Sequence, residues 1–272
     1  MTDGHARRWT YGGGHGAGNE RRGMNENDKK TPQRQGRSGE GPPAAAADPG
    51  NAVDAFLREA QGLAPVAAGA GQGRLIFALD ATMSRQPTWD LACRVQAGMF
   101  ETTARIGGLA VQLVYYRGFG ECRASRWVSD ARALTAMMTG IDCRGGLTQI
   151  ERVLRHVRKA AGTRRIAAFI HVGDAMEEDV DRLCALAGEL GLIGVKGFMF
   201  HEGGDPEAGQ AFREIARLTG GAYEQFDASA PGALEGLLRA AAVYAAGGEG
   251  ALRKLADGDA GARRLLTSMR RS

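Results

Sequence analysis

From residue 74 onward, short apolar runs alternate with segments that carry an apolar stripe at helical spacing. The apolar runs predict buried strands over residues 74–80, 109–116, 164–174, 192–200 and 222–226, and the more polar segment 121–128 predicts a short edge strand. Strands that alternate with helices need crossover connections, which favour a mainly parallel sheet with helices on both faces. The pattern therefore predicts an α/β fold.

The segments between these runs predict helices. One is opened by Pro87, one by Pro231, and others cover residues 130–139, 150–161, 180–190 and 206–219. The strongest stripe consists of Ile150, Val153, Leu154, Val157 and Ala161. The charged end of the chain, residues 251–272, predicts a loosely attached helix.

The first 50 residues differ in composition from the rest. They hold 11 glycines and 4 prolines but no Leu, Ile, Val or Phe, so they have too little apolar surface to offset the entropy of ordering them. We expect a disordered tail over residues 1–50 and a short helix with a glycine-rich linker over 51–71. The α/β domain is predicted for residues 72–246, and a helical extension for 247–272.

Charge and composition exclude several classes of protein. The net charge of the 272 residues is +4, shared evenly between tail and remainder, which is too small an excess for a dedicated nucleic-acid binder. No apolar run is long enough to span a membrane, and the start lacks a signal-peptide core. The four cysteines are not at zinc-ligand spacing. We expect a cytoplasmic protein with neither nucleic acid nor membrane as a partner.

Five oxygen-bearing side chains follow the predicted strands or precede a helix. Asp80, Thr82 and Ser84 come at alternate positions after the first strand, Thr148 follows two glycines at a helix start, and Asp174 ends a later strand. Ligands bind beyond the carboxyl ends of parallel strands, so these groups are expected to converge. All five are hard donors, which favours octahedral Mg²⁺ or Mn²⁺ and argues against zinc.

Two carboxylates and three neutral hydroxyls would leave a divalent cation able to accept a further anionic oxygen. An acidic side chain of a partner protein would supply that oxygen and complete the octahedron. Such a site recognises a partner and carries out no reaction, so the chain is not expected to be an enzyme.

The motifs DATMS at 80–84, GGLT at 145–148 and VGDAMEED at 172–179 resemble the metal-ion-dependent adhesion site of von Willebrand factor A (VWA) domains. Their order and their spacings, 68 residues from Asp80 to Thr148 and 26 from there to Asp174, are similar to that family. The resemblance covers about residues 72–245. Thr82 stands where the family usually has serine; it keeps the hydroxyl and adds a methyl group.

The resemblance implies a Rossmann-like, doubly wound and mostly parallel sheet of about six strands with the metal on its upper edge. It also implies a protein-binding function. Cytoplasmic bacterial members often work beside AAA+ ATPases of the MoxR kind, so the resemblance makes such an ATPase an expected partner.

Other interpretations of the same residues remain open. A haloacid-dehalogenase-like phosphatase would use Asp80 as nucleophile, but position 82 would then need a carboxylate to protonate the leaving group, and Thr82 has none. A structural alternative is that Asp80 and Asp174 only cap helix starts. A dinucleotide enzyme is disfavoured because the first strand-to-helix turn has no GxGxxG.

Residues close to these motifs have structural explanations. His171 and His201 are expected to be satisfied histidines of a core or strand end. Residues 177–179 are three acids that would stabilise a helix start. Arg85 is expected either to face solvent or to contact an acidic partner.

Overall fold

The computed structural model describes residues 72–227 and 229–271, so the predicted tail and the short helix with its linker lie outside the described residues. The described part contains a single six-stranded sheet in the order β3-β2-β1-β4-β5-β6. Only β3 is antiparallel to its neighbour. The strands are β1 (Gly73–Asp80), β2 (Leu109–Arg117), β3 (Glu121–Val128), β4 (Ala168–Gly173), β5 (Lys196–Glu202) and β6 (Ala222–Phe226).

Eight α-helices of the described residues cover both faces of this sheet. One face carries α1 (Gln86–Val95), α2 (Ala97–Thr103), α3 (Ala131–Met138), α7 (Pro231–Ala256) and α8 (Ala260–Arg271). The other carries α4 (Ile150–Ala161), α5 (Val180–Leu192) and α6 (Pro206–Thr219). The predicted α/β class, with a doubly wound and mostly parallel sheet between helices, is confirmed.

Strand β1 shows how one apolar run serves two cores. Its side chains alternate between the faces, so Leu75 and Phe77 enter the core under α7 while Ile76 and Ala78 enter the core under α4. Because both sets are fully buried, the run is continuously apolar, as expected of a central parallel strand.

The starts of two strands were predicted too early. β4 begins at Ala168 and not at residue 164, and β5 begins at Lys196 and not at residue 192. Ile166 and Val195 are nevertheless buried, because the chain enters the core before it joins the sheet. Hydrophobicity reports burial and cannot separate a buried loop from a strand.

The expectation of a loosely attached C-terminal helix was wrong. Leu252, Ala262 and Leu265 are fully buried in the same core as β1. α7 bends at Gly248, whose φ of 68° is readily adopted only by glycine. The exposed arginines of α8 dominate its composition, but its apolar stripe packs onto the domain. Among the described residues, no helix combines the length and the apolar character needed to cross a bilayer.

Candidate functional site

Two of the predicted site residues lie where the strand order reverses. Asp80 ends β1 and Asp174 directly follows β4, and these two strands are parallel neighbours. From β1 the chain moves to β2 on one side of the sheet, and after β3 it returns to β4 on the other side. The crevice between the carboxyl ends of such strands is the usual ligand site of doubly wound sheets.

A chain of hydrogen bonds joins four of the five predicted residues. The amide of Thr82 donates to Oδ1 of Asp80 at 2.7 Å, which folds the loop after β1 back onto the strand end. The hydroxyls of Thr82 and Ser84 lie 3.4 Å apart, and Ser84 Oγ donates to Asp174 Oδ2 at 3.3 Å. The loop therefore places its carboxylate and both hydroxyls beside the second aspartate.

Asp80 is only 3% exposed, and its Oδ2 makes no hydrogen bond of good geometry among the described residues, although the buried hydroxyl of Tyr116 lies nearby, where burial and this carboxyl together raise the pKa of the phenol. The pKa of the Asp80 carboxyl is raised to about 6, mainly by burial and to a lesser extent by the nearby charge of Asp174, against the lowering effect of the Thr82 hydrogen bonds and of Arg85. A buried oxygen without a partner is costly. Within the crevice, Asp80 Oδ2 is the one carboxylate oxygen of the described residues that is buried without such a bond.

Thr148 is buried and is held by the loop after β4. Its hydroxyl accepts a hydrogen bond from the amide of Glu177 at 3.0 Å, and its own amide donates to Oε2 of Glu177 at 2.9 Å. Among the described residues, no hydrogen bond joins Thr148 to Asp80, Thr82, Ser84 or Asp174. The second and third motifs are thus tied to each other, and the first is tied to the third through Ser84.

The acids after Asp174 stabilise helix starts, as expected, but on two different helices. Asp179 caps α5 by accepting from the amide of Arg182 at 3.2 Å. Glu178 reaches across to α4, where it accepts from the amides of Ile150 and Glu151, the latter at 2.9 Å. A carboxylate at a helix N-terminus meets the positive end of the helix dipole, so this contact also fixes the loop after β4 against α4.

The expectation that Arg85 faces solvent or a partner was wrong. Its side chain is 3% exposed, with Nη1 lying 3.6 Å from Asp174 Oδ2 and Nη2 paired with Glu202. Glu202 ends β5 and also accepts from the hydroxyl of Thr88. Sequence reasoning missed Glu202, although its place at the carboxyl end of a parallel strand beside β4 was a usable signal.

His201 is a satisfied strand-end side chain, as expected, whereas Nδ1 of His171 is buried without a hydrogen-bond partner among the described residues. His171 is fully buried in β4, where Nε2 lies 3.1 Å from the hydroxyl of Tyr116 and burial lowers the pKa of the imidazole to about 3. His201 bonds to the hydroxyl of Tyr223 at 2.9 Å and to the carbonyl oxygen of Asp174 at 3.3 Å. His201 thus helps to position the backbone of the third motif.

The donors in the crevice fit a hard divalent cation. They are carboxylate and hydroxyl oxygens, the ligands that Mg²⁺ prefers, and one of them is the unpartnered Oδ2 of Asp80. In the described part of the chain no three His, Cys, Asp or Glu side chains cluster as a metal site, so hydroxyls would have to complete the ligand set. The Arg85 guanidinium neutralises only part of the local negative charge.

Gly146 packs directly against the β2–β3 turn, and this contact gives a prediction. A Cβ at residue 146 would lie 2.2 Å from the carbonyl oxygen of Gly118, whereas a Cβ at residue 145 would meet nothing within 4 Å. We expect Gly146→Ala to lower the free energy of unfolding by about 1–3 kcal/mol through overpacking. Chemical denaturation should detect this loss.

Gly145→Ala is the matched control, because it makes the same change one residue away in open space. Its free energy of unfolding should stay within about 0.5 kcal/mol of that of the natural protein. Equal stability of the two variants would contradict the close packing of this loop on the turn.

Comparisons with known proteins bear on the fold. No protein-family profile matches the chain, and no curated protein matches it. Among solved structures, a von Willebrand factor type A protein from Catenulispora acidiphila is 15% identical with a TM-score of 0.53, over 64% of this chain and 43% of that one. The SpRpn10 VWA domain is 11% identical with a TM-score of 0.49, over 60% of this chain and 95% of that one.

An aerotolerance-related membrane protein from Bacteroides fragilis is 16% identical with a TM-score of 0.46, over 61% of this chain and 98% of that one. The likeness to the Catenulispora protein concerns the fold alone, and this chain spans less than half of that protein's length. The chain has the fold of a von Willebrand factor A domain.

Proposed function

We propose that this protein is a Mg²⁺-dependent protein-interaction module that binds an acidic side chain of a partner. Asp80, Thr82, Ser84, Thr148 and Asp174 would hold the ion directly or through water. The observation that carries the proposal is the hydrogen-bonded chain from Asp80 to Asp174, which contains one buried carboxylate oxygen without a partner. Mn²⁺ has the same ligand preferences and is the alternative cation.

The balance of charge supports a divalent cation. Asp174 and Glu202 both contact Arg85, and Asp80 is close enough to feel the charges of Asp174 and Arg85. Three carboxylates and one guanidinium leave two negative charges uncompensated in a partly desolvated crevice. Such charge is expensive to bury without a counter-ion.

The protein side chains have separable tasks in this proposal. The two aspartates would supply negative charge, and the hydroxyls of Thr82 and Ser84, which lie in the hydrogen-bonded chain between them, would present neutral oxygens. Thr148 uses its hydroxyl to accept from Glu177, which leaves one oxygen lone pair for a further contact. A bound Mg²⁺ would act as a Lewis acid that attracts an anionic oxygen from outside the chain.

An apolar rim around the crevice supports a protein as the partner. We define this rim as Met83, Phe119 and Leu147, which are 67%, 86% and 50% exposed. They lie on three loops that touch one another, since Leu147 N donates to Gly118 O at 3.3 Å and Arg144 N donates to Ala81 O at 3.0 Å. Exposed large apolar side chains around a polar centre are typical of protein interfaces.

We infer binding and not phosphoryl transfer because no carboxylate occupies position 82. Asp80 Oδ1 accepts from the Thr82 amide, and the Thr82 hydroxyl cannot serve as a general acid at neutral pH. A MoxR-type AAA+ ATPase as partner and a cytoplasmic location stay predictions.

The test measures Mg²⁺ binding by calorimetry and by thermal unfolding, with the natural chain and the variants Asp80→Asn and Asp174→Ala. A Mg²⁺ concentration 100-fold above the Kd should stabilise the natural protein by about 2.7 kcal/mol. We expect both variants to lose this response, because each removes a charged ligand. Asp181→Ala removes an exposed acid of α5 outside the crevice and should respond like the natural protein.

Capture of partner proteins with and without EDTA provides the second readout. Capture lost with EDTA and in Asp174→Ala supports the proposal. Unchanged Mg²⁺ binding in both aspartate variants would overturn the metal site. Turnover of p-nitrophenyl phosphate that is abolished by Asp80→Asn would favour the phosphatase instead.

A further inference from the structure

A second surface, separate from the crevice, runs along the free edge of β6 between α6 and α8. It is a groove of about 1060 Å³, at the upper end of the volumes of ligand sites. We call it the arginine groove, because its lining includes Arg213, Arg217, Arg263, Arg264 and Arg271. None of these residues takes part in the metal-site proposal.

The acidic side chains of the groove neutralise only two of these arginines. Glu214 accepts from Nε of Arg217 at 2.9 Å, and Glu224 pairs with Nη2 of Arg264 at 2.7 Å. Within residues 72–227 and 229–271, the other three arginines have no carboxylate partner, and all three are exposed: Arg213, Arg263 and Arg271. The groove therefore has a surplus of three positive charges.

The groove cannot accept an added β-strand along the part of β6 that lines it, because side chains of α8 already satisfy backbone groups there. Ser268 Oγ donates to the carbonyl oxygen of Tyr223 at 2.7 Å and accepts from its amide at 3.2 Å. Arg264 donates to the carbonyl oxygen of Gln225 at 3.0 Å. A ligand of this groove must be held by side chains.

The aromatic ring of the groove is not free for stacking. The guanidinium carbon of Arg213 lies 5.0 Å from the centroid of the Tyr223 ring, so the cation covers one face of the only aromatic side chain in the lining. Recognition of single-stranded nucleic acid relies on such faces as platforms for bases. The lining instead combines guanidinium groups with the small apolar side chains of Val180 and Ala260.

We propose that the arginine groove binds an acidic peptide segment of a partner protein. The planar guanidinium group matches a carboxylate with two parallel hydrogen bonds, and arginine is the preferred residue at such interfaces. Three arginines without a carboxylate partner along one groove fit a segment that carries several carboxylates, although Nη1 of Arg263 also donates to the carbonyl oxygen of Ala256 at 3.0 Å. This binding needs no metal ion, which separates it from the function proposed for the crevice.

The test uses the full chain and a fluorescein-labelled oligoglutamate peptide, with binding followed by fluorescence anisotropy at several salt concentrations. The groove variant is Arg213→Gln/Arg263→Gln/Arg271→Gln. We expect it to weaken peptide binding by about tenfold or more and to flatten the salt dependence, because each lost arginine removes a screened charge contact. Since all three side chains are exposed, the variant should remain folded.

The control variant Arg105→Gln/Arg132→Gln/Arg270→Gln removes the same charge from exposed positions outside the groove. It should change the affinity by no more than about twofold. EDTA and Asp174→Ala should have no effect, so failure of the crevice proposal would leave this result unchanged. Equal loss in both triple variants, or tighter binding of oligothymidine than of the peptide, would overturn the proposal.

Discussion

Replacing Arg85 with methionine is expected to lower the free energy of unfolding by about 2–3 kcal/mol. The guanidinium is the only cation that contacts Asp174 and Glu202 among the described residues, and its own side chain is 3% exposed. Removing it leaves partly desolvated carboxylates without a counter-charge, which for a fully buried pair costs about 3–5 kcal/mol. We expect the smaller loss of about 2–3 kcal/mol because Asp174 and Glu202 are 29% and 19% exposed and therefore partly solvated. Urea denaturation measures the difference.

A double-mutant cycle separates charge from packing in this prediction. Arg85→Met/Glu202→Gln, measured beside both single variants, removes both members of the Arg85–Glu202 pair. It should recover part of the loss, because the amide can still accept from Thr88 whereas Asp174 stays without its counter-charge. Arg123→Met changes an arginine that pairs with Glu121 on the surface and is 69% exposed, so it should cost less than about 1 kcal/mol. Equal costs for Arg85→Met and Arg123→Met would show that the Arg85 pair is effectively solvated.

Much of this fold could be predicted because its elements are short and strongly patterned. α6 spans the predicted residues 206–219 and β6 the predicted residues 222–226. The errors come from places where burial and secondary structure separate. Ile166 and Val195 are core residues in loops, and α8 is a charged helix that still buries Leu265.

The candidate site was harder to predict, because its contacts join residues that are far apart in the chain. The strand pattern identified Asp80 and Asp174 from their places at strand ends. It gave no sign that Arg85 would be buried, since its partner Glu202 lies 117 residues further along the chain. Nor did it show that Glu178 would cap α4 rather than its own helix.

These long-range contacts make the three motifs depend on one another. Ser84 ties the first motif to the third, Glu177 ties the third to the second, and Glu178 fixes the third to α4. A binding site needs coordinating side chains whose positions are set before the ion or partner arrives. Side chains that hold one another across three loops supply this preorganisation without a separate structural element.

Acidification is expected to destabilise the protein through His171, and His171→Gln should remove that sensitivity. The unfolded chain protonates this imidazole below about pH 6.5, whereas burial keeps the pKa of the folded imidazole at about 3. The unfolded state therefore binds one more proton between these values, so stability falls as the pH falls through this window. From about pH 6.5 to 4.5 the natural protein should lose about 2.3 kcal/mol more than the variant, because the unfolded imidazole is already half protonated at the start of this window.

Urea denaturation at a series of pH values measures this difference, because the carboxylates titrate in both proteins and cancel in the comparison. His171→Gln keeps a polar partner for the Tyr116 hydroxyl, so it should remain folded although less stable at neutral pH. His156→Gln is the control: that imidazole is only half-buried, and its loss should change the pH dependence much less. If the free energies of unfolding of the natural protein and of His171→Gln changed in parallel with pH, the imidazole of His171 would have the same pKa in the folded protein as in the unfolded chain.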